Sequence, residues 1–249
     1  MVPVDVRGEL RSKGYALVSA DRLELAPELR GYEAELAREW EDLETDKYLR
    51  DGARFRERRY DRFHFVPRSG EVRLQPHRPY FQSDNANQYA GGIQRDVAPL
   101  TGTTLANALM RELIPYNFAR FPVAEELGDE LLDDPWDVQC HQFRIIGSAT
   151  GLGEPTPEGP HRDEVDYGAI HLMSRTNVSG GASQVYSPEK ELLTEFSLTE
   201  RMDTMYWADR KVLHAVRPIV AADAGRTAVR DVLIFGYRHA PELGIPEAA

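Results

Sequence analysis

The spacing of apolar residues divides the chain into a helical first part and a β-rich second part. Tyr32, Leu36, Trp40 and Leu43 recur at intervals of four, four and three residues, which places them on one face of an amphipathic helix. Pro27 is acceptable in the first turn of that helix, because an N–H there has no intrahelical partner. We therefore predict that the N-terminal third is mostly helical and that this helix packs on a sheet.

A second helix is predicted from about Thr103 to Leu113. Leu105, Leu109 and Leu113 share one of its faces. Thr103 is a possible N-cap, and Pro115 marks the end, since proline interrupts helical hydrogen bonding.

From Trp136 onward, short apolar runs are separated by Gly, Pro, Asp and Asn, a pattern typical of antiparallel β structure. The segment 147–160, GSATGLGEPTPEGP, is rich in Gly and Pro and is predicted to be a loop that leads to His161. We predict strands at 138–146, 166–173, 182–186, 203–208, 212–219 and 229–237.

The composition changes this picture little. Hydrophobic residues make up 41% and charged residues 29% of the chain, as in an ordinary globular protein. No linker of distinct composition interrupts it, so we predict one domain over residues 1–249, in which a helix-rich part, 1–135, packs on a β core, 136–240.

The net charge of −11 argues against general binding to nucleic acid or anionic lipid, since both are held mainly by clustered Lys and Arg. We expect a small-molecule partner, no nucleic acid and no membrane; the oligomeric state is left open. The single cysteine, Cys140, cannot form an intramolecular disulfide, and residues 1–15 contain no apolar signal core of the usual length. We therefore expect a cytoplasmic protein.

Three side chains suggest a metal site. His161 and Asp163 are two positions apart at the start of a predicted strand, where alternate residues share a face. On that spacing alone, a hydrogen-bonded surface pair is an equal alternative. His214 lies in a later apolar strand, and two imidazoles with one carboxylate form the facial triad that binds Fe(II) and leaves three coordination positions open.

A dianionic 2-oxo acid at such a metal would need a cation at its far end, and the planar fork of an arginine matches a carboxylate best. Arg230 begins the last predicted strand. If that strand forms an antiparallel hairpin with the strand of His214, Arg230 projects into the same barrel mouth. Arg226 is the competitor, but it lies in the predicted turn AADAGRTA and is expected to be solvated.

These residues resemble a known family, the bacterial 2-oxoglutarate and Fe(II)-dependent dioxygenases that include the L-isoleucine 4-hydroxylases and related free amino acid hydroxylases. The resemblance covers about residues 75–239 and rests on the order of the motifs. It is carried by PEGPHRDEVDYGAIHLMSRTNVSGGASQVY, ADRKVLHAVRPI, RDVLIFGYR and, more weakly, RPYFQSDNANQYAGGIQRDVAPL.

The resemblance implies a mainly β fold with flanking α-helices and a double-stranded β-helix (jelly-roll or cupin-like) core. It implies that His161, Asp163 and His214 bind iron and that Arg230 binds the 2-oxoglutarate carboxylate. The implied activity is that of an oxidoreductase: Fe(II), 2-oxoglutarate and O2 hydroxylate an unactivated C–H of a free L-amino acid or similar small metabolite. The aspartate ligand favours hydroxylation over halogenation and leaves desaturation and ring closure open.

Two residues depart from the family pattern. Glu164 stands where a glycine is expected, and Arg217 stands where a smaller residue is usual. Both departures bear on the identity of the substrate more than on the oxidation chemistry that the resemblance implies.

Other polar and aromatic residues have two interpretations. Arg144 lies in an apolar strand and should meet either a structural acid or a substrate carboxylate, because an unpaired buried cation is costly. Tyr167 and Trp207 could line a substrate pocket or belong to the core. His171 is expected in the core. The remaining histidines are expected to be structural: His64, His77, His141 and His239.

The stretch 50–65 contains six arginines together with Asp51, Glu57 and Asp61. We interpret it as a solvated face or a lattice of salt bridges. The less favoured alternative is that part of it rims an entrance and attracts an anionic substrate.

Two other functions remain possible from the sequence. A zinc hydrolase could use the same two histidines and aspartate with a bound water, and a β-barrel binding protein could hold a structural metal or none. Arg230 argues against the hydrolase, which needs no buried cation dedicated to a co-substrate. Structural metal sites usually have four ligands, and the sequence offers only three.

Overall fold

The computed structural model describes residues 4–243 of the chain, and within them β-sheets of eight, three and two strands lie beside a group of short helices. The helices are α1 Val6–Lys13, α2 Pro27–Arg30, α3 Glu33–Arg38, α4 Gly102–Ala106, α5 Ala108–Phe118 and α6 Val123–Glu126. The strands are β1 Tyr15–Val18, β2 Glu44–Thr45, β3 Arg56–Val66, β4 Glu71–Leu74, β5 Trp136–Gly147, β6 Tyr167–Thr176, β7 Val178–Gly180, β8 Ser183–Tyr186, β9 Leu192–Phe196, β10 Thr204–Ala208, β11 Leu213–Val216, β12 Ile219–Ala221 and β13 Ala228–His239.

The larger sheet has the order β1-β10-β6-β13-β5-β3-β2, with β4 paired to β3, and every neighbouring pair is antiparallel. The smaller sheet has three strands in the order β11-β8-β9. Strands β12 and β7 form a separate two-stranded sheet. The chain is thus a double-stranded β-helix with flanking helices, which confirms the predicted fold class.

The two faces of the larger sheet have different neighbours, because side chains alternate along a strand. On β13, Leu233, Phe235 and Tyr237 belong to a buried cluster that also contains Leu109 and Leu113 of α5. The alternate positions of β13 face the smaller sheet instead. Fully burying one such leucine or phenylalanine contributes about 1.5–3 kcal/mol to the free energy of folding. The helices therefore hold one face of the sheet, and the cavity lies on the other.

The prediction that the N-terminal third is mostly helical is wrong. Residues 56–66 of the arginine-rich stretch form β3, which pairs with β5 from Arg56 opposite Ile145 to Phe65 opposite Trp136. Arginines occupy inward positions of β3, and they hid the apolar alternation on which a strand prediction depends. The β core is therefore not confined to residues 136–240.

The first predicted helix is interrupted. It consists of α2, α3 and a 3-10 turn over Glu39–Asp42, and the break falls around Gly31 and Tyr32. Leu36 and Trp40 are nevertheless fully buried, so the predicted apolar face is present on shorter pieces.

The second predicted helix begins and ends elsewhere. Thr101 caps α4 by accepting the N–H of Thr104, and Asn107 caps α5 by accepting the N–H of Met110, so Thr103 is not a cap. Pro115 lies inside α5. Burial of the apolar face of α5 outweighs an interior proline, which costs about 3 kcal/mol. Within residues 4–243 no helix is long and apolar enough to cross a membrane.

All six predicted strands exist, and one of them is divided into two. The 212–219 strand stops at Val216, and Ile219 begins β12, which pairs with β7 and not with β8. Pro218 lies between the two, and a proline cannot donate to a strand ladder.

Candidate metal centre

His161, Asp163 and His214 come together as the sequence predicts. One ligand atom of each lies within 4.8 Å of the others. His161 Nε2 is 3.4 Å from Asp163 Oδ1, and His214 Nε2 is 3.4 Å from Asp163 Oδ2. Two imidazole nitrogens and a carboxylate could hold one divalent ion from a single side, which leaves the other coordination positions open for small molecules.

The two histidines are aligned by their own backbones. His161 and His214 exchange two backbone hydrogen bonds of 3.1 Å, so their imidazoles leave adjacent strands side by side, with ring centroids 4.5 Å apart. His161 Nδ1 donates to the carbonyl of Gly159 over 2.9 Å. Since a carbonyl can only accept, the Nδ1 atom carries the proton, and Nε2 is available to a metal.

Asp163 does not reach the site through strand alternation, as the sequence suggested. It lies in a turn after the bridge at His161, and its backbone N–H donates to both carboxylate oxygens of Asp209 at 3.0 and 3.1 Å. Asp209 also accepts from the Trp207 indole and from the N–H of Val165. Asp209 therefore fixes the turn that carries the aspartate ligand.

Sequence reasoning missed Asp209. Its signal was an acidic residue directly after the predicted strand 203–208. Burial and the neighbouring Asp163 carboxylate raise the pKa of Asp209 to about 6.

The charges of the triad are coupled. Burial disfavours a protonated imidazole, but the carboxylates of Asp163 and Glu158 outweigh it and raise the pKa of His161 to about 9. Burial likewise disfavours the Asp163 carboxylate, yet His214 and His161 hold its pKa well below its usual value. Without a metal the cluster therefore retains a proton at neutral pH, and a metal must displace it.

Arg230 lies in the same cavity as the triad. The side chain is 1% exposed, and its Nε and Nη2 atoms have no hydrogen-bond partner among residues 4–243. Burial and, next, Arg175 lower the pKa of Arg230 to about 10, so the guanidinium stays charged at neutral pH. The hydroxyl of Ser183 is buried in the same cavity and also has no partner within the described chain. These donors fit the far carboxylate of a 2-oxo acid.

Arg230 and His214 line one cavity, but the predicted hairpin between their strands is wrong. Their strands form no hairpin: β11 pairs with β8 in the smaller sheet, and β13 lies between β5 and β6 in the larger one. The two side chains converge because the sheets face each other. Arg226 is exposed, as expected.

Two residues predicted as substrate contacts lie on the opposite face of the larger sheet. Arg144 donates to both carboxylate oxygens of Asp231 over 2.8 and 2.9 Å, which is the structural alternative. Tyr167 stacks on Phe121 with centroids 4.9 Å apart, and its hydroxyl donates to Glu126. The structure contradicts a substrate role for both, because strand alternation turns them away from the cavity.

Trp207 does line the cavity, and its ring centroid lies 4.8 Å from that of His214. Its contact with a substrate stays a prediction. Apolar side chains around it are Ile170, Met205, Val232 and Ile234.

The histidines predicted to be structural divide into two groups. His171 is buried between Asn117 and Thr204, and burial lowers its pKa to about 3, as suits a core histidine. His141 instead lines the cavity, where it stacks on Tyr60 at a centroid distance of 4.6 Å. Alternation with Phe143 on β5 was the signal that could have found it.

The arginine-rich stretch is not a solvated face throughout. Arg56 and Arg58 on β3 are buried and line the cavity, together with Tyr80 and Arg95 from the loop after β4. Four arginines of the stretch form salt bridges, Arg56 and Arg58 with Asp46, Arg59 with Asp42 and Arg62 with Asp137, as the predicted lattice requires. An entrance that attracts an anionic substrate stays a prediction.

Comparison with known proteins agrees with the geometry. Curated L-isoleucine-4-hydroxylase from Bacillus thuringiensis is 26% identical over 235 residues, which cover 92% of this chain and 93% of that protein. The crystal structure of a bsmA homologue from Methylobium petroleophilum PM1 superposes with a TM-score of 0.83 at 27% identity, covering 96% of this chain and 94% of the other.

The structure of IDO from Bacillus thuringiensis superposes with a TM-score of 0.78 at 23% identity, covering 94% of this chain and 97% of the other, and it supports the fold. The family model described as 2OG-Fe dioxygenase matches residues 37–236, a segment that contains the whole triad and Arg230. Its members use Fe(II), 2-oxoglutarate and O2. The chain belongs to the 2OG-Fe dioxygenase family.

Proposed function

We propose that this protein is a 2-oxoglutarate- and Fe(II)-dependent hydroxylase of a free L-amino acid or a similar small metabolite. The observation that carries the proposal is the pairing, in one cavity, of a His-Asp-His cluster with the buried, unpartnered Arg230. The amino acid class is supported by the name of the curated relative, an L-isoleucine hydroxylase.

Each polar group then has a role. His161, Asp163 and His214 hold the iron, and Arg230 with Ser183 holds the far carboxylate of 2-oxoglutarate. When bound, Fe(II), 2-oxoglutarate and O2 supply the oxidation, in which 2-oxoglutarate becomes succinate and CO2 and one oxygen atom enters a C–H bond of the substrate.

The chain orients these partners and keeps bulk water from them. Side chains of His161, His214 and Asp163 are 8%, 15% and 23% exposed, so the ligand atoms lie below the surface. The apolar wall around Trp207 leaves few polar groups beside the reacting C–H bond. Positioning and shielding are the contributions a protein makes to cofactor chemistry of this kind.

A zinc hydrolase or a non-catalytic barrel gains less support. Neither has a use for Arg230, since an isolated buried guanidinium costs several kcal/mol. Membership of the dioxygenase family favours the oxygenase over both.

The test is succinate formation that depends on oxygen. The protein is purified anaerobically, loaded with Fe(II) and 2-oxoglutarate, and exposed to O2 with each L-amino acid of a panel. We expect succinate together with a product heavier by one oxygen atom for at least one amino acid, and neither from the His161→Ala variant. Absence of both with every amino acid, together with tight zinc binding, would contradict the proposal and favour the hydrolase.

A further inference from the structure

A second set of buried arginines lies in the cavity, apart from Arg230. Arg58 on β3 and Arg95 in the loop after β4 are 2% and 1% exposed, and both line the cavity. Their guanidinium carbons lie 5.1 and 4.5 Å from the centroid of the same ring, that of Tyr80. The Nε atom of each has no hydrogen-bond partner among residues 4–243. The cavity wall therefore carries two unused charged donors side by side.

Carboxylates of the chain neutralise these two groups only in part. Asp46 lies 2.8 Å from the Arg56 guanidinium and 3.6 Å from that of Arg58, so one acid is shared between two arginines. Arg95 donates to the neutral amide oxygen of Gln82 over 2.8 Å. Within the described part of the chain, no carboxylate lies within 4.0 Å of Arg95. Three guanidinium groups thus share one acid in direct contact, Asp46, and Glu158 acts on Arg95 only from a greater distance.

Such an excess of buried positive charge calls for an anion from outside. An unpaired charge is costly to bury, and the planar fork of a guanidinium matches a carboxylate. The anion at Arg230 does not fill this need, because Arg230 belongs to β13 and β5 separates that strand from β3. Two strand spacings amount to about 10 Å. The charges that act on Arg230 are those of Arg175 and Asp231, and not those of Arg58 or Arg95. Arg58 on β3 and Arg95 in the loop after β4 therefore form an anion site separate from Arg230.

A negatively charged group lies on the same cavity wall. Glu158 is 9% exposed at its side chain, and its one ion-pair partner within 4.0 Å, among residues 4–243, is His161 Nδ1 at 3.5 Å. That nitrogen already donates to the Gly159 carbonyl. Once a metal displaces the extra proton of the His161 imidazole, the Glu158 carboxylate no longer faces a charged partner and can accept hydrogen bonds from a cationic group inside the cavity.

On the basis of the proposed function, we propose that Arg58 and Arg95 bind the carboxylate of the substrate and that Glu158 binds its ammonium group. Glu158 and Arg95 line one cavity and lie near enough for the acid to oppose the lowering of the arginine's pKa by burial. Neighbouring opposite charges suit the ammonium and carboxylate groups of an α-amino acid, which are attached to the same carbon atom. This arrangement directs the side chain of the amino acid toward the remaining, apolar part of the cavity. Arg58, Arg95 and Glu158 would then decide that the substrate is a free amino acid.

Calorimetry without oxygen tests this assignment, because no turnover occurs. The Fe(II) and 2-oxoglutarate complex is titrated with each standard L-amino acid, with its α-carboxamide and with the corresponding acid that lacks the amino group. Acetate and propionate serve as minimal carboxylate probes. The variants are Arg95→Gln and Arg95→Lys, with exposed Arg226→Gln as the matched control, and thermal melting shows whether each is folded.

We expect Arg95→Gln to weaken amino acid binding about thirtyfold or more, as loss of one partner in a buried charged pair does. Arg95→Lys should weaken it less, and Arg226→Gln should leave it unchanged. The affinity for 2-oxoglutarate should be the same in all four proteins. Carboxamides should bind weakly and without dependence on Arg95.

The role of Glu158 is tested through the ligands. Acids without the amino group should bind more weakly than the amino acids to the wild type, and Glu158→Gln should remove this difference.

Different failures have different meanings. Two results would overturn the anion site while the oxygenase proposal stands. One is equal affinity of the wild type and Arg95→Gln for the amino acids. The other is equal affinity of the wild type for the amino acids and for their α-carboxamides. Failure of the wild type to bind 2-oxoglutarate with Fe(II) would overturn the oxygenase proposal. The arginine pair would then be judged by acetate and propionate, whose binding must still depend on Arg95.

Discussion

Glu164 and Ser83 connect the turn that carries Asp163 to the 80–95 loop, which lines the cavity. The N–H and the hydroxyl of Ser83 donate to the two carboxylate oxygens of Glu164, over 3.0 and 2.5 Å. Glu164 follows Asp163 directly, and Ser83 lies between Tyr80 and Arg95, which pair with each other through two backbone hydrogen bonds of 2.8 Å. The position of Arg95, which we propose as a substrate ligand, is thus tied to that of Asp163.

We expect Glu164→Gly to loosen the 80–95 loop without unfolding the protein. Glu164 has a φ of 60°, a conformation that glycine adopts without strain, so the substitution relieves about 1 kcal/mol in the turn while removing both hydrogen bonds. Hydrogen exchange of residues 80–95 should accelerate, while the thermal midpoint stays within a few degrees. Unchanged exchange in this loop would show that the contact with Ser83 does not hold it.

Asp209→Asn should weaken metal binding about 10- to 100-fold, the usual effect of removing a group that orients a ligand. An asparagine offers one acceptor oxygen where the aspartate offers two to the N–H of Asp163. Calorimetric titration with Fe(II) under anaerobic conditions measures the loss. Asp223→Asn, in an exposed turn, is the matched control. Equal affinity of the two variants would remove Asp209 from this role.

Metal affinity should fall as the pH falls below about 9. His161 must lose its proton to bind a metal, and its pKa in the metal-free protein is raised to about 9, so proton and metal compete throughout the neutral range. The loss approaches tenfold for each pH unit and each displaced proton. Titrations in buffers of different ionisation heat should detect proton release at pH 7. A flat affinity between pH 7 and 9 would contradict the coupling.

The stability of the metal-free protein should fall as the pH rises, whereas metal affinity should increase. A pKa raised from the model-peptide value of 6.5 to about 9 means that the folded state holds the His161 proton more tightly than the unfolded state. This stabilisation is complete below about pH 6.5 and is lost as the pH rises through about 9. The free energy of unfolding measured in denaturant without metal should therefore decrease over that window, and saturation with Fe(II) should abolish the trend.

Arg230→Ala should raise the 2-oxoglutarate concentration needed for binding about thirtyfold or more, because it removes one partner of a buried charged pair. Iron binding should persist, since Arg230 offers no ligand atom to the metal. Anaerobic titration with each component separates the two effects, and Arg226→Ala is the exposed control. An unchanged affinity for 2-oxoglutarate would exclude Arg230 from this role.

Arg144→Ala should affect stability and not the cavity. It leaves the carboxylate of Asp231, whose side chain is 3% exposed, without the guanidinium that binds both of its oxygens. We expect a loss of about 2–3 kcal/mol in the free energy of unfolding, below the full value for a buried pair because the Arg144 side chain is 21% exposed. The affinity for 2-oxoglutarate should equal that of the wild type, and a marked change in it would restore Arg144 to the site.

The sequence predicted most of the β core because its second half alternates apolar and polar residues between clear turn signals. All six predicted strands are present, and the order of His161, Asp163, His214 and Arg230 identified the family. The same reasoning failed for β3, whose inward positions are filled by Arg56 and Arg58 and not by apolar residues. A charged residue that faces a polar cavity has the same local pattern as one that faces water.

The sequence by itself determined the chemical groups of this protein: two imidazoles, one carboxylate and an arginine whose spacing matches one family. Only the tertiary structure decided which face of the sheet each side chain takes, and therefore that Arg144 and Tyr167 turn away from the cavity while His141 and Arg58 line it. The physical reason is that strand alternation offers two equivalent faces. Packing of the helices on one face and of the second sheet on the other decides which of them becomes the core and which becomes the site.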